Sequence, residues 1–208
     1  MEIRPIEIQW NPQFPIFAKE SFLRAVSDRY GWLGGFSRSG ELLCILPYTI
    51  VTKAIFQIAR FRVETIPMSK DFGVEEEKAF LNGTLQELKS IGADLVMPAT
   101  TNTIFRTYPD GAEAAPYGSY VIELSPPEDA LWKNIDRILR QNIKSASKAG
   151  VVVRESSPQE LFSAHKMIKE TFGRSKLPFM DFDSFEKYMA GLSDFGKLLV
   201  AEQGGVAQ

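Results

Sequence analysis

Five cations recur on one side of a predicted helix in the second half of the chain, at residues 130–149. At about 100° per residue, the five side chains fall within an arc of about 80° that contains no acidic residue. We call this set the basic stripe: Lys133, Arg137, Arg140, Lys144 and Lys148. Because Arg and Lys are the usual binders of phosphate oxygens, the stripe predicts a phosphate site.

A solvated helix face is the alternative interpretation of this stripe, since most charge runs simply face water. Lys144 and Lys148 also lie in the last turns of the helix, where the helix dipole favours cations. Solvated faces usually mix signs, however, and like charges on neighbouring turns repel by a few tenths of a kcal/mol per pair, roughly. An anion bound to the stripe would offset that cost.

The same helix has an apolar side opposite the stripe, which predicts that it docks on a sheet. Its members are Leu131, Ile135, Ile138, Leu139, Ile143, Ala146 and Ala149. The preceding segment 125–129 supplies a capping serine, prolines and two carboxylates, and Gly150 ends the helix. Two further cations, Arg174 and Lys176, follow a second predicted helix over Pro158–Phe172, and we add them to the candidate phosphate-binding residues.

Other kinds of site have little support in the sequence. The single cysteine, Cys44, lies in an apolar run, and the only histidine, His165, lies within a predicted helix; both are expected to be structural. No spacing of ligands predicts a metal site, and no catalytic residue can be assigned. The 24 basic and 26 acidic residues nearly cancel, so any attraction to nucleic acid must be local. Without an apolar leader or spanning segment, a cytoplasmic protein is expected.

The elements that position these residues follow a mixed α/β order. Helices are predicted over Phe17–Tyr30, ending at Gly31, over Val74–Ile91, and over Asp183–Leu192; helical turns are predicted within Thr100–Pro109. Strands are predicted over Trp32–Ser37 and Glu41–Val51, which form a hairpin, and over Ile55–Ile66, Ala93–Pro98, Tyr120–Leu124, Val151–Glu155 and Lys197–Glu202.

The end of the chain repeats the order of its beginning. Phe22–Leu46 and Phe185–Gln208 both contain a helical segment, a strand and a glycine turn, but the second copy stops after Gly204-Gly205. This internal similarity favours one complete unit at residues 1–150 and the beginning of a second at 151–208.

Three stretches of the chain form recognisable motifs. The predicted strand Tyr120–Leu124 leads through Leu131-Trp132 to the segment Arg140–Val151, which has the pattern R-x-x-I-K-x-A-x-K-x-G-V. Thr171-Phe172-Gly173-Arg174 has the pattern T-x-x-R, and Ile66–Gly73 is a proline-to-glycine loop. Together these motifs resemble those of the FemAB/FemX group of the GNAT superfamily. The resemblance implies a GNAT-like fold with two units in tandem.

The resemblance also implies an activity. Similar proteins transfer an acyl or aminoacyl group to an amine of a cell-wall or polysaccharide precursor linked to a nucleotide. Acyl-CoA or aminoacyl-tRNA would be the donor substrate, so tRNA is a further expected partner, and no tightly bound cofactor or metal is expected. Because the second unit is unfinished, this chain alone could lack a complete active site.

Two alternatives remain open at this point. A non-catalytic module could bind a nucleotide or nucleic acid through the basic stripe, with an affinity that falls steeply with salt. A structural half-protein could instead pack the helix against a missing second domain, or against another copy of the chain.

Overall fold

The computed structural model describes residues 1–98, 103–115, 118, 120–192 and 195–207. The chain divides into two compact units. Unit 1 contains Met1–Tyr117 and Asp183–Phe195, and unit 2 contains Gly118–Phe182 and Gly196–Gln208.

The regular elements alternate along the chain. The strands are β1 (Glu2–Ile6), β2 (Arg29–Phe36), β3 (Leu42–Lys53), β4 (Phe56–Phe61), β5 (Ile66–Pro67), β6 (Leu95–Pro98), β7 (Val151–Glu155), β8 (Leu199–Gln203) and β9 (Val206–Ala207). The helices are α1 (Glu20–Val26), α2 (Val74–Ser90), α3 (Glu128–Asn134), α4 (Arg137–Lys148), α5 (Leu161–Arg174) and α6 (Phe182–Leu192). Short 3₁₀ turns at Ile16–Ala18 and Pro158–Glu160 precede α1 and α5.

Unit 1 is built on a mixed sheet in the order β1-β2-β3-β4-β6, with β5 paired to β3. The neighbours β1 to β4 are antiparallel, and Gly40 provides the positive φ of +84° at the turn between β2 and β3. Strand β6 runs parallel to β4, and a parallel neighbour needs a crossover connection, which here contains α2.

Both faces of this sheet are covered by apolar side chains, because neighbouring residues of a strand point to opposite faces. On the α2 face, the buried cluster includes Leu46, Phe61, Phe80 and Leu88. On the other face, which we call the α1/α6 face, the buried cluster includes Phe22, Leu23, Trp32, Ile45 and Leu192.

Unit 2 contains the smaller sheet β7-β8-β9, which is antiparallel. Gly204 and Gly205 form the two-residue turn between β8 and β9, with φ of +60° and +78°. Two successive positive φ values suit the right-handed twist of a hairpin. Three helices, α3, α4 and α5, complete the described part of this unit.

The structure confirms many of the predicted elements: the β2–β3 hairpin, α2, β7, α5, α6 and β8. The helix predicted over Phe17–Tyr30 is wrong, because α1 ends at Val26 and Tyr30 belongs to β2. Gly31 is a strand residue rather than a helix end. A Cβ at Gly31 would lie 2.8 Å from Oη of Tyr48, so the glycine allows the close approach of that ring.

Two other predictions differ from the structure. Tyr120–Leu124 forms no strand, and its apolar side chains Tyr120, Val121, Ile122 and Leu124 are exposed. The turns predicted within Thr100–Pro109 lie partly outside the described residues, and 103–109 contains no helix. No helix within the described ranges is long and apolar enough to cross a membrane.

The division into units also differs from the predicted one. The helices α3 and α4 belong to unit 2 and not to the first unit, and α4 contacts β7. Most of α6 belongs to unit 1, where Oγ of Ser21 donates a hydrogen bond of 2.9 Å to the carbonyl of Gly191.

Candidate functional site

The basic stripe lies on two helices rather than on one. The chain is extended at Ile135 and Asp136, and the Asp136 carboxylate accepts hydrogen bonds from the amides of Ile138 and Leu139 at 2.7 and 3.4 Å. An aspartate that caps amides in this way begins a new helix. The single helix predicted over 130–149 is therefore wrong, and Lys133 lies on α3, apart from the other four cations.

The four cations of α4 keep a common side, since Arg137, Arg140, Lys144 and Lys148 span about 80° at helical geometry. Arg137, Lys144 and Lys148 are exposed. No ion pair among the described residues includes any of the four. The charge on this side of α4 is therefore not neutralised within the described part of the chain.

Arg140 differs from its neighbours because its guanidinium contacts the backbone of α3. Its Nη1 donates to the carbonyls of Trp132, Lys133 and Ile135, at 3.3, 2.7 and 2.6 Å. The last carbonyls of a helix have no partner inside the helix, and a nearby arginine satisfies them. Arg140 thus joins α3 to α4, a structural contact that the sequence did not predict.

The apolar side of α4 is only partly covered. Ile138, Leu139 and Ile143 are 67%, 51% and 38% exposed, although α4 contacts β7. The predicted docking of this side on a sheet is therefore incomplete within the described residues.

The other two candidate cations lie at the end of α5. Nη2 of Arg174 donates to Oγ1 of Thr171 at 3.0 Å, so the two outer residues of the T-x-x-R motif contact each other. Lys176 has a φ of +55°, and the amides of Lys176 and Leu177 bond to the carbonyls of Gly173 and Phe172 at 3.0 and 2.9 Å. This pair of bonds is a Schellman motif in which Lys176 occupies the position usually taken by glycine.

A cavity of about 510 Å³ lies in unit 2 between α5 and β8. Its lining includes Thr171, Phe172 and Arg174 from α5, and Leu199 and Val200 from β8. Ligand pockets are mostly apolar with a few polar groups that fix orientation. Arg174 supplies such a group here, so the structure places one predicted cation at a cavity.

A polar cluster fixes the β7–β8 pair and the start of α5. Arg154 on β7 donates to both carboxylate oxygens of Glu160, at 2.9 and 2.6 Å, and also to Glu202 on β8. The pKa of Glu160 is well below its ordinary value, because Arg154 and then the amide and hydroxyl of Ser157 donate to it. The S-x-x-E spacing of Ser157 and Glu160 is a capping-box signal that the sequence contains.

The two residues expected to be structural have the expected surroundings. His165 is buried in unit 2, and its Nε2 lies 2.9 Å from the carbonyl of Met180. Cys44 is buried in unit 1, and burial raises the pKa of its thiol to about 12. The described residues contain no group of three or more His, Cys, Asp or Glu side chains that could hold a metal ion.

The proline-to-glycine loop of unit 1, Ile66–Gly73, is fixed by a residue that the sequence did not single out. Arg106 donates from Nε to the buried carboxylate of Glu77 at 2.6 Å, and from Nη2 to the carbonyl of Gly73 at 3.2 Å. Its guanidinium also lies 5.4 Å from the ring centre of Phe72. No local sequence pattern marks this contact, because Arg106 is 29 residues from Glu77.

Comparisons with known proteins agree with this architecture. The FemAB family model matches residues 102–203. A structure described as FemX is similar over 98% of this chain and 58% of its own chain, with a TM-score of 0.59 and 15% identity. The chain therefore spans little more than half the length of FemX. A comparison with curated proteins gives no match.

Two acetyltransferase structures are also similar to parts of the chain. A ribosomal-protein-alanine N-acetyltransferase from Brucella melitensis biovar Abortus 2308 covers 46% of this chain and 68% of its own, with a TM-score of 0.32 and 16% identity. A glucosamine-6-phosphate N-acetyltransferase from Arabidopsis thaliana covers 38% and 56%, with a TM-score of 0.29 and 14% identity.

The sheet of unit 1 and the backbone similarity to FemX define the class of this protein as a mixed α/β protein with a fold similar to that of FemX. Within that class, residues 102–203 match the FemAB family model. The predicted fold class and the predicted family resemblance are thus confirmed.

Proposed function

We propose that this chain supplies part of an acyl- or aminoacyltransferase that acts on an amine of a cell-wall or polysaccharide precursor. The precursor would be linked to a nucleotide, and acyl-CoA or aminoacyl-tRNA would be the donor. Nucleotide-linked precursors and aminoacyl-tRNA are cytoplasmic molecules, so we place the protein in the cytoplasm. The FemAB match over 102–203 supports the reaction class.

The observation that carries the proposal is the set of unneutralised cations in unit 2. Arg137, Lys144 and Lys148 are exposed on one side of α4, and Arg174 lines the cavity between α5 and β8. We assign phosphate binding to these four, together with Lys176 and with the guanidinium nitrogens of Arg140 that do not contact α3. Charge-assisted bonds from such groups to phosphate oxygens are short and strong.

In the proposed reaction, the acceptor amine attacks the carbonyl carbon of the donor. A C–N bond forms, and the thioester C–S bond or the ester C–O bond breaks. The CoA thiol or the tRNA hydroxyl leaves, and the proton lost by the amine balances the charge on the departing sulfur or oxygen. Binding both substrates in one geometry would supply much of the rate enhancement. Backbone donors aimed at the developing oxyanion would supply a further part. No side chain is assigned as the catalytic base.

Calorimetry with a UDP-linked cell-wall precursor tests the phosphate assignment. We expect the variant Lys144→Gln/Lys148→Gln to bind at least about tenfold more weakly, since a hydrogen bond to a charged group contributes about 1.5–3 kcal/mol. Lys53→Gln, which removes an exposed cation of unit 1, is the matched control and should bind normally. Equal affinities for all three proteins would overturn the assignment.

A nucleic-acid module is the second candidate function, because the exposed cations of α4 would also contact a phosphate backbone. It predicts saturable binding to tRNA without transfer, with a log–log salt slope that falls by about one unit for each removed contact. Transfer of a labelled acyl group from acyl-CoA or aminoacyl-tRNA to an amine would exclude this candidate.

A further inference from the structure

Two arginines of unit 1, Arg60 and Arg62, are half-buried close together in the sequence. Arg60 is the partner of Thr49 across the β3–β4 pair, and Arg62 follows two residues later. Thr49 lies on the same side of β3 as Ile45, which belongs to the α1/α6 face, because residues four apart share a side of a strand. Both arginines are half-buried, so neither residue is fully closed off from solvent.

The nitrogen atoms of this pair are incompletely bonded. Nε of Arg60 is buried and has no hydrogen-bond partner. Nε of Arg62 donates to Oγ1 of Thr49 at 3.1 Å. No ion pair within the described ranges includes either arginine. A buried donor without a partner has lost its hydrogen bond to water, so an unfilled pair of this kind is unfavourable.

The charged groups described near the pair are mainly positive. Burial, followed by the positive charge of Arg60, lowers the pKa of Arg62, and the phenol of Tyr188 on α6 acts in the opposite direction. Within the described part of the chain, no carboxylate contributes to this shift. Two positive charges repel each other strongly in a half-buried site, where water screens them little. An anion bound between them would offset that repulsion by attracting both.

We propose that Arg60 and Arg62 form a binding site for a small oxyanion, a phosphate or carboxylate group, on the α1/α6 face of unit 1. The planar fork of a guanidinium matches the oxygens of either group. The Thr49 hydroxyl accepts the hydrogen bond that holds Arg62 in position, and Nε of Arg60 is a buried donor that a bound oxyanion would satisfy. This site uses none of the cations of unit 2, and it does not depend on the proposed transferase activity.

Nuclear magnetic resonance of the arginine side chains tests the site in the unaltered chain. Inorganic phosphate and acetate are titrated separately at constant ionic strength, with chloride as the reference anion. We expect the Nε–H signals of Arg60 and Arg62 to shift in a saturable manner. A response to phosphate alone identifies a phosphate site, and an equal response to acetate identifies a carboxylate site. Unchanged signals with both anions would overturn the proposal.

Thermal unfolding of variants gives an independent test. A bound anion raises the midpoint temperature of the wild-type chain, because a ligand that binds only the folded state stabilises it. We expect Arg60→Gln and Arg62→Gln to lose this rise, whereas Arg38→Gln, at the exposed turn after β2, should retain it. Lys144→Gln/Lys148→Gln should retain it as well, which separates this site from the cations of unit 2. An undiminished rise in Arg62→Gln would contradict the proposal.

Discussion

Unit 1 and unit 2 bury their apolar side chains to very different extents. In unit 1, Phe22, Leu33, Phe80 and Leu88 are almost completely buried, and both faces of the sheet are covered. In unit 2, burial is limited to a few residues, such as Ala164, His165 and Val200. Apolar residues of its strands and helices remain exposed: Ile138, Leu139, Val152, Val153, Phe162 and Leu199.

Directional polar contacts hold much of unit 2 instead. Asp136 caps α4, Arg140 joins α4 to α3, and Arg154 joins β7 to β8 and to the start of α5. Such contacts fix local geometry, but each contributes much less to stability than a large buried side chain. Unit 2, which contains the candidate site, therefore has the smaller buried core. Binding regions are commonly of this kind.

The largest expected change in the free energy of unfolding comes from replacing a buried apolar residue, and an exposed apolar residue serves as the comparison. Phe80→Ala should lower the free energy of unfolding by about 3–5 kcal/mol, because it leaves a cavity in the α2-face cluster. Ile138→Ala on α4 should change it by less than about 0.5 kcal/mol. Urea denaturation of both variants measures the two values. A large loss in Ile138→Ala would mean that another surface covers α4 in solution.

A smaller loss is expected where unit 1 itself relies on a polar contact. Arg106→Gln should cost about 2 kcal/mol, because it leaves the Glu77 carboxylate buried without its cation. The loss stays below that of a fully buried pair, since the Arg106 side chain is 45% exposed. Arg106→Lys, which keeps the charge, should recover part of the stability in the same urea experiment. Equal losses in both variants would show that the charge is not the stabilising feature.

A still smaller effect is expected at the break between α3 and α4. Asp136→Ala should destabilise α4 by about 1 kcal/mol, because two amides lose their capping carboxylate. Asp136→Asn, which keeps a capping oxygen, serves as the control and should lose much less. Hydrogen exchange of the first α4 amides measures the local change. Unaltered exchange in Asp136→Ala would exclude the capping role.

The smallest effect is expected at the partly exposed Arg154–Glu160 pair, and it depends on pH. Because the pKa of Glu160 is lowered in the folded state, ionisation stabilises the fold at pH values above its ordinary pKa of 4.5. That contribution is lost as the pH falls below 4.5 towards the lowered pKa. Glu160→Gln should therefore be less stable than wild type at neutral pH, and the difference should shrink in acid.

Urea midpoints measured from pH 7 to pH 2 would follow this change. Glu186→Gln on α6 removes an exposed carboxylate for which no partner is described, and it should show no such pH dependence. A difference between Glu160→Gln and wild type that stays constant down to pH 2 would refute the expected role of the pair.

Local patterns in the sequence were sufficient for several elements. Alternation and the turn residues Gly40, Gly204 and Gly205 predicted both hairpin turns, and helical periodicity with an acidic first turn predicted α2. Helical periodicity did not predict the break at Asp136, because the apolar spacing continues across the position at which a new helix begins. The capping preference of aspartate was the signal that could have identified this break.

Other features required the tertiary structure. Gly31 looked like a helix end, but it is needed because the Tyr48 ring approaches the strand from a neighbouring one. The contacts of Arg106 with Glu77, and of Arg62 with Thr49, join residues that lie 29 and 13 positions apart. No local pattern encodes such pairs, since they depend on how the strands and helices are placed in space.

The amino-acid sequence was sufficient to predict a mixed α/β chain, a resemblance to FemAB proteins, and cations that share one side of a helix in the second half. Those properties follow from residue types and short-range periodicity. Only the tertiary structure decided that the basic segment is two helices, that Arg140 is bound to backbone carbonyls, and that the α4 cations have no acidic partner among the described residues. The physical reason is that burial and pairing depend on neighbours brought together by folding.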